Sequence, residues 1–205
     1  MSSLFKKYLM ALTGIVLIGF VFVHMLGNLQ VLLGQKAINA YAHALQSLPL
    51  PILWGSRLFL FACVFLHAVT AYMLIKENRA ARPIPNDVEK TKRAGWSSLR
   101  MGLTGSIILA FIVFHLLHFT TRHVFPEYRD LQTVEGSPDG QKIHDVYTMV
   151  LSGFSSDWIS IAYVFCMFLL CRHLAHGVSS TFQSLGLRAE SWSNRLDLAS
   201  KAYAW

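Results

Sequence analysis

The chain has 205 residues, 54% of them hydrophobic and only 14% charged, whereas a soluble domain carries about a quarter charged residues. Its formal net charge is +7. The basic residues sit beside long apolar runs rather than along one amphipathic face, which excludes nucleic acid as a partner. Cys63, Cys166 and Cys171 all fall inside apolar runs. With no Cys-x-x-Cys-His and no cysteine cluster, covalent c-type haem attachment and an iron–sulfur centre on this chain are excluded, and the cysteines read as small packing residues.

Taken in chain order, four segments reach the roughly 20 residues that cross hydrocarbon. They are about Tyr8–Leu33, Ile52–Ile75, Ser97–Thr121 and Asp157–Thr181. The first follows Lys6 and Lys7 as a signal peptide would. Its apolar run exceeds the roughly 7–15 residues of a signal core and lacks a small-residue cleavage site, so it reads as a spanning helix. Gly34, Leu48-Pro-Leu-Pro51, Arg82-Pro-Ile-Pro85 and Ser137-Pro-Asp-Gly140 punctuate the connections. Ala37–Leu48 is an amphipathic stretch between the first two spans. The tail, residues 187–205, carries Arg188, Glu190, Arg195, Asp197 and Lys201. It reads as an interfacial helix or as the start of a fifth span.

Alternating the four spans places 13 Lys and Arg on the side of the N-terminus and 5 on the other. The excess of positive charge predicts a cytoplasmic N-terminus in an inner, cytoplasmic membrane. The expected fold is therefore an all-α integral membrane helix bundle: four transmembrane helices plus the start of a fifth, over residues 1–205.

Nine histidines mark the chemistry. His24, His67, His115 and His173 occur one in each span, and an ionisable residue inside a span is costly enough to suggest a function. Alone, any of them could simply hydrogen-bond across helices. His24 and His115 lie 16 and 18 residues into spans that run outward, while His67 and His173 lie 15 and 16 residues into spans that run inward. At 1.5 Å of rise per residue, these four form an outer pair and an inner pair. Two facing imidazoles suit the axial positions of a haem, placed between helices of a bundle. Zinc would require three or four ligands. A proton or metal transporter would usually set a carboxylate beside its intramembrane histidines, and none lies at mid-span.

Further polar residues flank these pairs. His118 and Arg122 follow His115 one and two turns outward on the same face. They could hydrogen-bond haem propionates, or His118 could be the ligand in place of His115. His176 stands in the same relation to His173. His43, on the amphipathic stretch, could meet a quinone headgroup or simply be solvated at the interface. His123 reads as a loop-edge residue, and His144 has no assigned role. Small residues on the histidine faces (Gly14, Cys63, Ala162, Gly177) permit close approach, although plain helix packing also selects them.

Several stretches together resemble the cytochrome b subunit of the di-haem succinate:quinone oxidoreductase and quinol:fumarate reductase family. They are Gly19-Phe-Val-Phe-Val-His24-Met-Leu-Gly-Asn28, Asn39-Ala-Tyr-Ala-His43-Ala-Leu-Gln-Ser-Leu-Pro49, Phe65-Leu-His67-Ala68, Phe114-His115-Leu-Leu-His118 and His173-Leu-Ala-His176-Gly-Val-Ser-Ser-Thr-Phe-Gln-Ser-Leu-Gly186. The resemblance implies two haem b groups, the outer held by His24 with His115 and the inner by His67 with His173. It implies a flavoprotein subunit and an iron–sulfur subunit on the cytoplasmic face, against the N-terminus and the basic Lys76–Arg93 loop, and membrane quinone as the substrate. It also implies five spans, where this sequence shows four and the start of another. With no dinucleotide-binding glycine motif, the dehydrogenation itself is expected on the partners. Two other readings remain open: the cytochrome b subunit of a formate dehydrogenase or nitrate reductase, and a haem-free transporter.

Overall fold

The computed structural model describes residues 2–81 and 101–205. The elements in order are α1 (Ser3–Asn28) with a 3-10 turn at Leu29–Leu33, α2 (Gln35–Gln46), α3 (Leu50–Ala80) and α4 (Met101–His115) with a π-helical turn at Leu116–Thr120. A short β1–β2 hairpin (Gln132–Thr133, Ile143–His144), α5 (Val146–Gly153), α6 (Asp157–Ser184) and α7 (Ser193–Ala204) follow. The expected loop at Arg82-Pro-Ile-Pro85, the entry of the third span at Ser97–Arg100 and the basic loop beyond Ala81 lie outside the described residues.

Among the described residues, four helices are long and apolar enough to cross a membrane: Ser3–Leu33, Leu50–Ala80, Met101–Thr120 and Asp157–Ser184. Three of them take in an expected span and run a few residues longer, because charged side chains at a helix end can keep their charges in water while the backbone stays helical; Met101–Thr120 falls within the expected Ser97–Thr121, whose first four residues lie outside the described ones. Helices suit this setting because hydrocarbon offers no partner for an unpaired backbone amide. The surface is correspondingly inverted, with Trp158 82%, Leu32 79% and Phe61 67% exposed. The polar residues of the spans satisfy themselves locally: Thr13, Thr70 and Ser106 each donate to the carbonyl four residues back at 2.7–2.8 Å.

The chain divides into two compact units. One comprises Met1–Gly19, Leu60–Leu109 and Cys166–Trp205, the other Phe20–Phe59 and Ala110–Phe165. In the first unit, the buried Lys6 pairs with Glu77, which also accepts from Ser3. The tail forms a helix of 12 residues, α7, which does not reach spanning length. Leu196, Ser200 and Ala204 are buried along it. Arg188 clamps Asp197 at 2.8 Å, Asp197 also accepts from Ser179 at 2.6 Å, and Tyr203 donates to the Ile18 carbonyl at 2.6 Å. Two of the tail's charges, Arg188 and Asp197, thus help to dock it.

In the second unit, the connection between α4 and α6 folds into a cap over α2. Asp145 is its organising residue. It caps α5 by accepting from the Thr148 amide at 3.1 Å and hydroxyl at 2.7 Å, and it also accepts from Asn39 at 3.1 Å and Gln35 at 3.0 Å on α2. The fully buried Asn39 completes the link by accepting from the Tyr147 amide at 3.0 Å. Gly136 closes over α2 with φ +89°, and a Cβ there would stand 2.7 Å from the backbone of Lys36 and Ala40. Burial raises the Asp145 pKa, but the hydrogen bonds outweigh it and hold the carboxyl below the usual carboxylate range. Its stabilising contribution is therefore full above the ordinary aspartate pKa of about 3.9 and is lost as pH falls through the lower folded value. Asp145→Ala removes a cap and strands the buried amide of Asn39 and the part-buried amide of Gln35, an expected loss of about 2 kcal/mol. Thermal melting of the detergent-purified chain should show the variant less stable at pH 7, with the gap closing below about pH 4.

Candidate functional site

Each unit contains one facing pair of histidines, each pair drawn from two spanning helices. In the first unit His67 on α3 and His173 on α6 stand with ring centroids 6.4 Å apart and planes at 66°. In the second, His24 on α1 and His115 on α4 stand 5.9 Å apart at 90°. Two imidazoles bound on opposite sides of one metal, each through a bond of about 2 Å, place their centroids about 6 Å apart. Both separations fit. Among the described residues there is no group of three or more His, Cys, Asp or Glu poised for a metal. A pair suffices for haem, whose porphyrin supplies the other four nitrogens, and does not suffice for zinc.

The hydrogen bonds of the rings favour the same chemistry. His67 Nδ1 lies 3.1 Å from the Met10 carbonyl and 3.4 Å from Thr13 Oγ1. His173 Nδ1 lies 3.4 Å from Thr104 Oγ1, and His115 Nδ1 3.4 Å from the Tyr163 hydroxyl. A carbonyl only accepts, so His67 carries its proton on Nδ1 and leaves Nε2 as a lone pair. Metal-bound histidines typically engage their second ring nitrogen in this way. Gly14 and Gly105 lie beside these two rings: a Cβ on Gly14 would stand 3.5 Å from His67 Cε1, and one on Gly105 3.4 Å from His173 Cε1, ordinary contact distances.

The outer pair has an aromatic surround. Phe20 stacks on His24 at 5.2 Å, while Phe111 and Phe119 each lie 5.9 Å from His115. After His115 the helix widens into its π turn, with the Thr121 amide bonded to the Leu116 carbonyl five residues back at 2.8 Å. Such turns recur at functional sites. His118 emerges from it wholly buried, its Nδ1 3.0 Å from the Tyr163 hydroxyl that His115 also meets. Among the described residues its Nε2 has no partner, and neither has the buried Nε of Arg122, whose backbone has φ 56°. His118 keeps to the side of His115, since both rings meet the Tyr163 hydroxyl, whereas Arg122 lies beyond the helix end in a left-handed conformation rather than one further turn along the same face.

The remaining histidines are spread out. His176 is half-buried on α6, one turn from His173, while the neighbouring cation Arg188 is tied to Ser179 and Asp197. His43, half-buried on α2, has Nε2 3.4 Å from Ser47 Oγ. His123 bonds Thr121 at 2.8 Å. His144 sits in β2 with Nδ1 on the Leu131 carbonyl at 2.9 Å; burial, with Arg122 nearby, pushes its pKa down.

Sequence reasoning missed Tyr163, Thr13, Thr104 and Gly105. A signal for three of them exists: Leu-Thr-Gly occurs at 12–14 and again at 103–105, each time with its threonine eleven residues before a span histidine, His24 or His115. Tyr163 has no comparable mark. Comparison with family models, curated proteins and solved structures finds no match to this chain.

Tyr163→Phe leaves His118 with neither ring nitrogen paired, an expected loss of about 1–3 kcal/mol. Gly153→Ala acts on the same histidine from the other side, because its Cβ would meet the Phe119 ring at 2.7 Å and His118 Nε2 at 3.1 Å. Both variants should melt at lower temperature than the parent chain, and a change at neither would mean that His118 is not held as described.

Proposed function

We propose that this chain is the di-haem b membrane anchor of a succinate:quinone oxidoreductase or quinol:fumarate reductase, serving electron transfer between an iron–sulfur subunit and membrane quinone. One observation carries the reading: two histidine pairs, 5.9 and 6.4 Å apart, each drawn from two different spanning helices. Haem b, when bound, supplies reversible one-electron chemistry. The residues of the chain would hold and orient it. His24 with His115 would hold one haem and His67 with His173 the other, with Gly14 and Gly105 beside the latter two rings. The unpartnered nitrogens of His118 and Arg122 are the donors that a buried propionate carboxylate would need. His176 is put forward for the same task beside the inner pair, and His43 for a quinone headgroup.

The placement in the membrane belongs to the same proposal. The excess of Lys and Arg puts the N-terminus in the cytoplasm, where flavoprotein and iron–sulfur partners would dock. Dehydrogenation would belong to those partners. The ordered set of stretches that resembles the di-haem family supports the choice among quinone-linked cytochromes.

The test is a reduced-minus-oxidised spectrum of the complex purified from membranes, with haem b counted per chain. Two haems are expected, falling to about one in His24→Ala or in His67→Ala, and flavin should co-purify. A haem-free protein would overturn the assignment, and molybdenum in place of flavin would redirect it to the formate dehydrogenase or nitrate reductase type.

A further inference from the structure

The two threonines beside the inner histidines stand in matching positions. Thr13 Oγ1 and Thr104 Oγ1 each lie 3.4 Å from a histidine Nδ1, that of His67 and that of His173. Each threonine is followed by a glycine that lies beside the same ring. Each hydroxyl also has its single proton engaged along its own helix: Thr13 donates to the Leu9 carbonyl at 2.8 Å and Thr104 to the Met101 carbonyl at 3.2 Å. A hydroxyl with its proton so engaged can only accept from a neighbour.

From this we infer that Thr13 and Thr104 are positioning residues that hold His67 and His173 in the Nδ1-protonated tautomer, so that each presents the lone pair of Nε2 to an iron between them. The inference rests on the haem reading and adds to it what orients the ligands. It also makes the two threonines unequal, although the sequence presents them identically. His67 Nδ1 has a second acceptor, the Met10 carbonyl at 3.1 Å. Thr104 is the acceptor that the described residues bring to His173 Nδ1. Thr13 is thus backed by a backbone group that no substitution removes, and Thr104 carries its tautomer without that support.

The consequence is measurable on the haem. A hydrogen bond accepted from Nδ1–H makes the imidazole more basic, which favours the oxidised iron and lowers the midpoint potential. Redox titration of the purified complex should show Thr104→Val raising the midpoint of one haem and leaving the other in place. Thr13→Val should shift it less, and Thr104→Ser should restore the parent value. Val in place of Thr keeps the volume, and Ser keeps the acceptor. Loss of one haem in Thr104→Val with retention in Thr104→Ser would support the same role. Equal shifts from both valine variants, no shift from either, or no rescue by serine would overturn it.

Nitrogen NMR of the full-length chain labelled at histidine gives a second readout that does not require haem. Nδ1–H on His67 and His173 in the parent chain, with His173 changing tautomer in Thr104→Val, is expected. Nε2–H on either ring in the parent would overturn the inference. A parent chain that proves haem-free but shows Nδ1–H on both rings would overturn the proposed function alone.

Discussion

The rest of the structure depends on the shortage of hydrogen-bond partners inside hydrocarbon. A threonine or serine in a spanning helix can turn back on its own turn, as Thr13, Thr70 and Ser106 do. An imidazole cannot do this readily, because its second nitrogen projects away from the backbone of its own helix. It must find a partner on a neighbouring helix, as His67 does at the Met10 carbonyl and His115 and His118 do at the Tyr163 hydroxyl. Hydrocarbon also favours the neutral form of such histidines.

The two pairs meet that constraint with different surroundings. The rings of His67 and His173 are steadied by backbone and hydroxyl oxygens, with Gly14 and Gly105 beside them. The outer ring of His115 is steadied by a tyrosine and walled by phenylalanines. The π turn is the device that makes the second arrangement possible. By adding a residue to one helical turn it sends His118 into the core, where His118 and His115 share the Tyr163 hydroxyl. A shared hydroxyl couples the two rings: if it accepts from one Nδ1–H, it can donate its own proton to the other Nδ1. His118 would then bear its proton on Nε2, the nitrogen that stands without a partner.

What could be read from the sequence follows from the periodicities that hydrocarbon enforces. Apolar length located the four helices, and residue counts along them indicated which histidines would be neighbours, because rise per residue is nearly constant in a helix. The details that escaped are those where geometry departs from that constancy or where a local bond decides. The helix ends at its π turn, before Arg122, so the spacing that put Arg122 on the face of His115 does not carry that far. Tyr163 looks in the sequence like any interfacial aromatic. The Asp145 network joins residues more than a hundred positions apart, and nothing in the acidic loop marks Asp145 above Glu127, Asp130, Glu135 or Asp139.

The repeat of Leu-Thr-Gly links these strands of reasoning. On α1 and on α4 the same three residues precede a span histidine by a fixed interval, and their threonine and glycine lie against the histidine of another helix. One helical stretch thus does two tasks at two depths: it braces a partner's ring through Thr-Gly and offers its own ring eleven residues further on. Eleven residues are close to three full turns of an α-helix, so both tasks fall on one face. A helix that must present two groups to the interior can do so without turning a polar side chain toward lipid only if their spacing is close to a whole number of turns. The recurrence of that spacing is what a helix with two such duties requires.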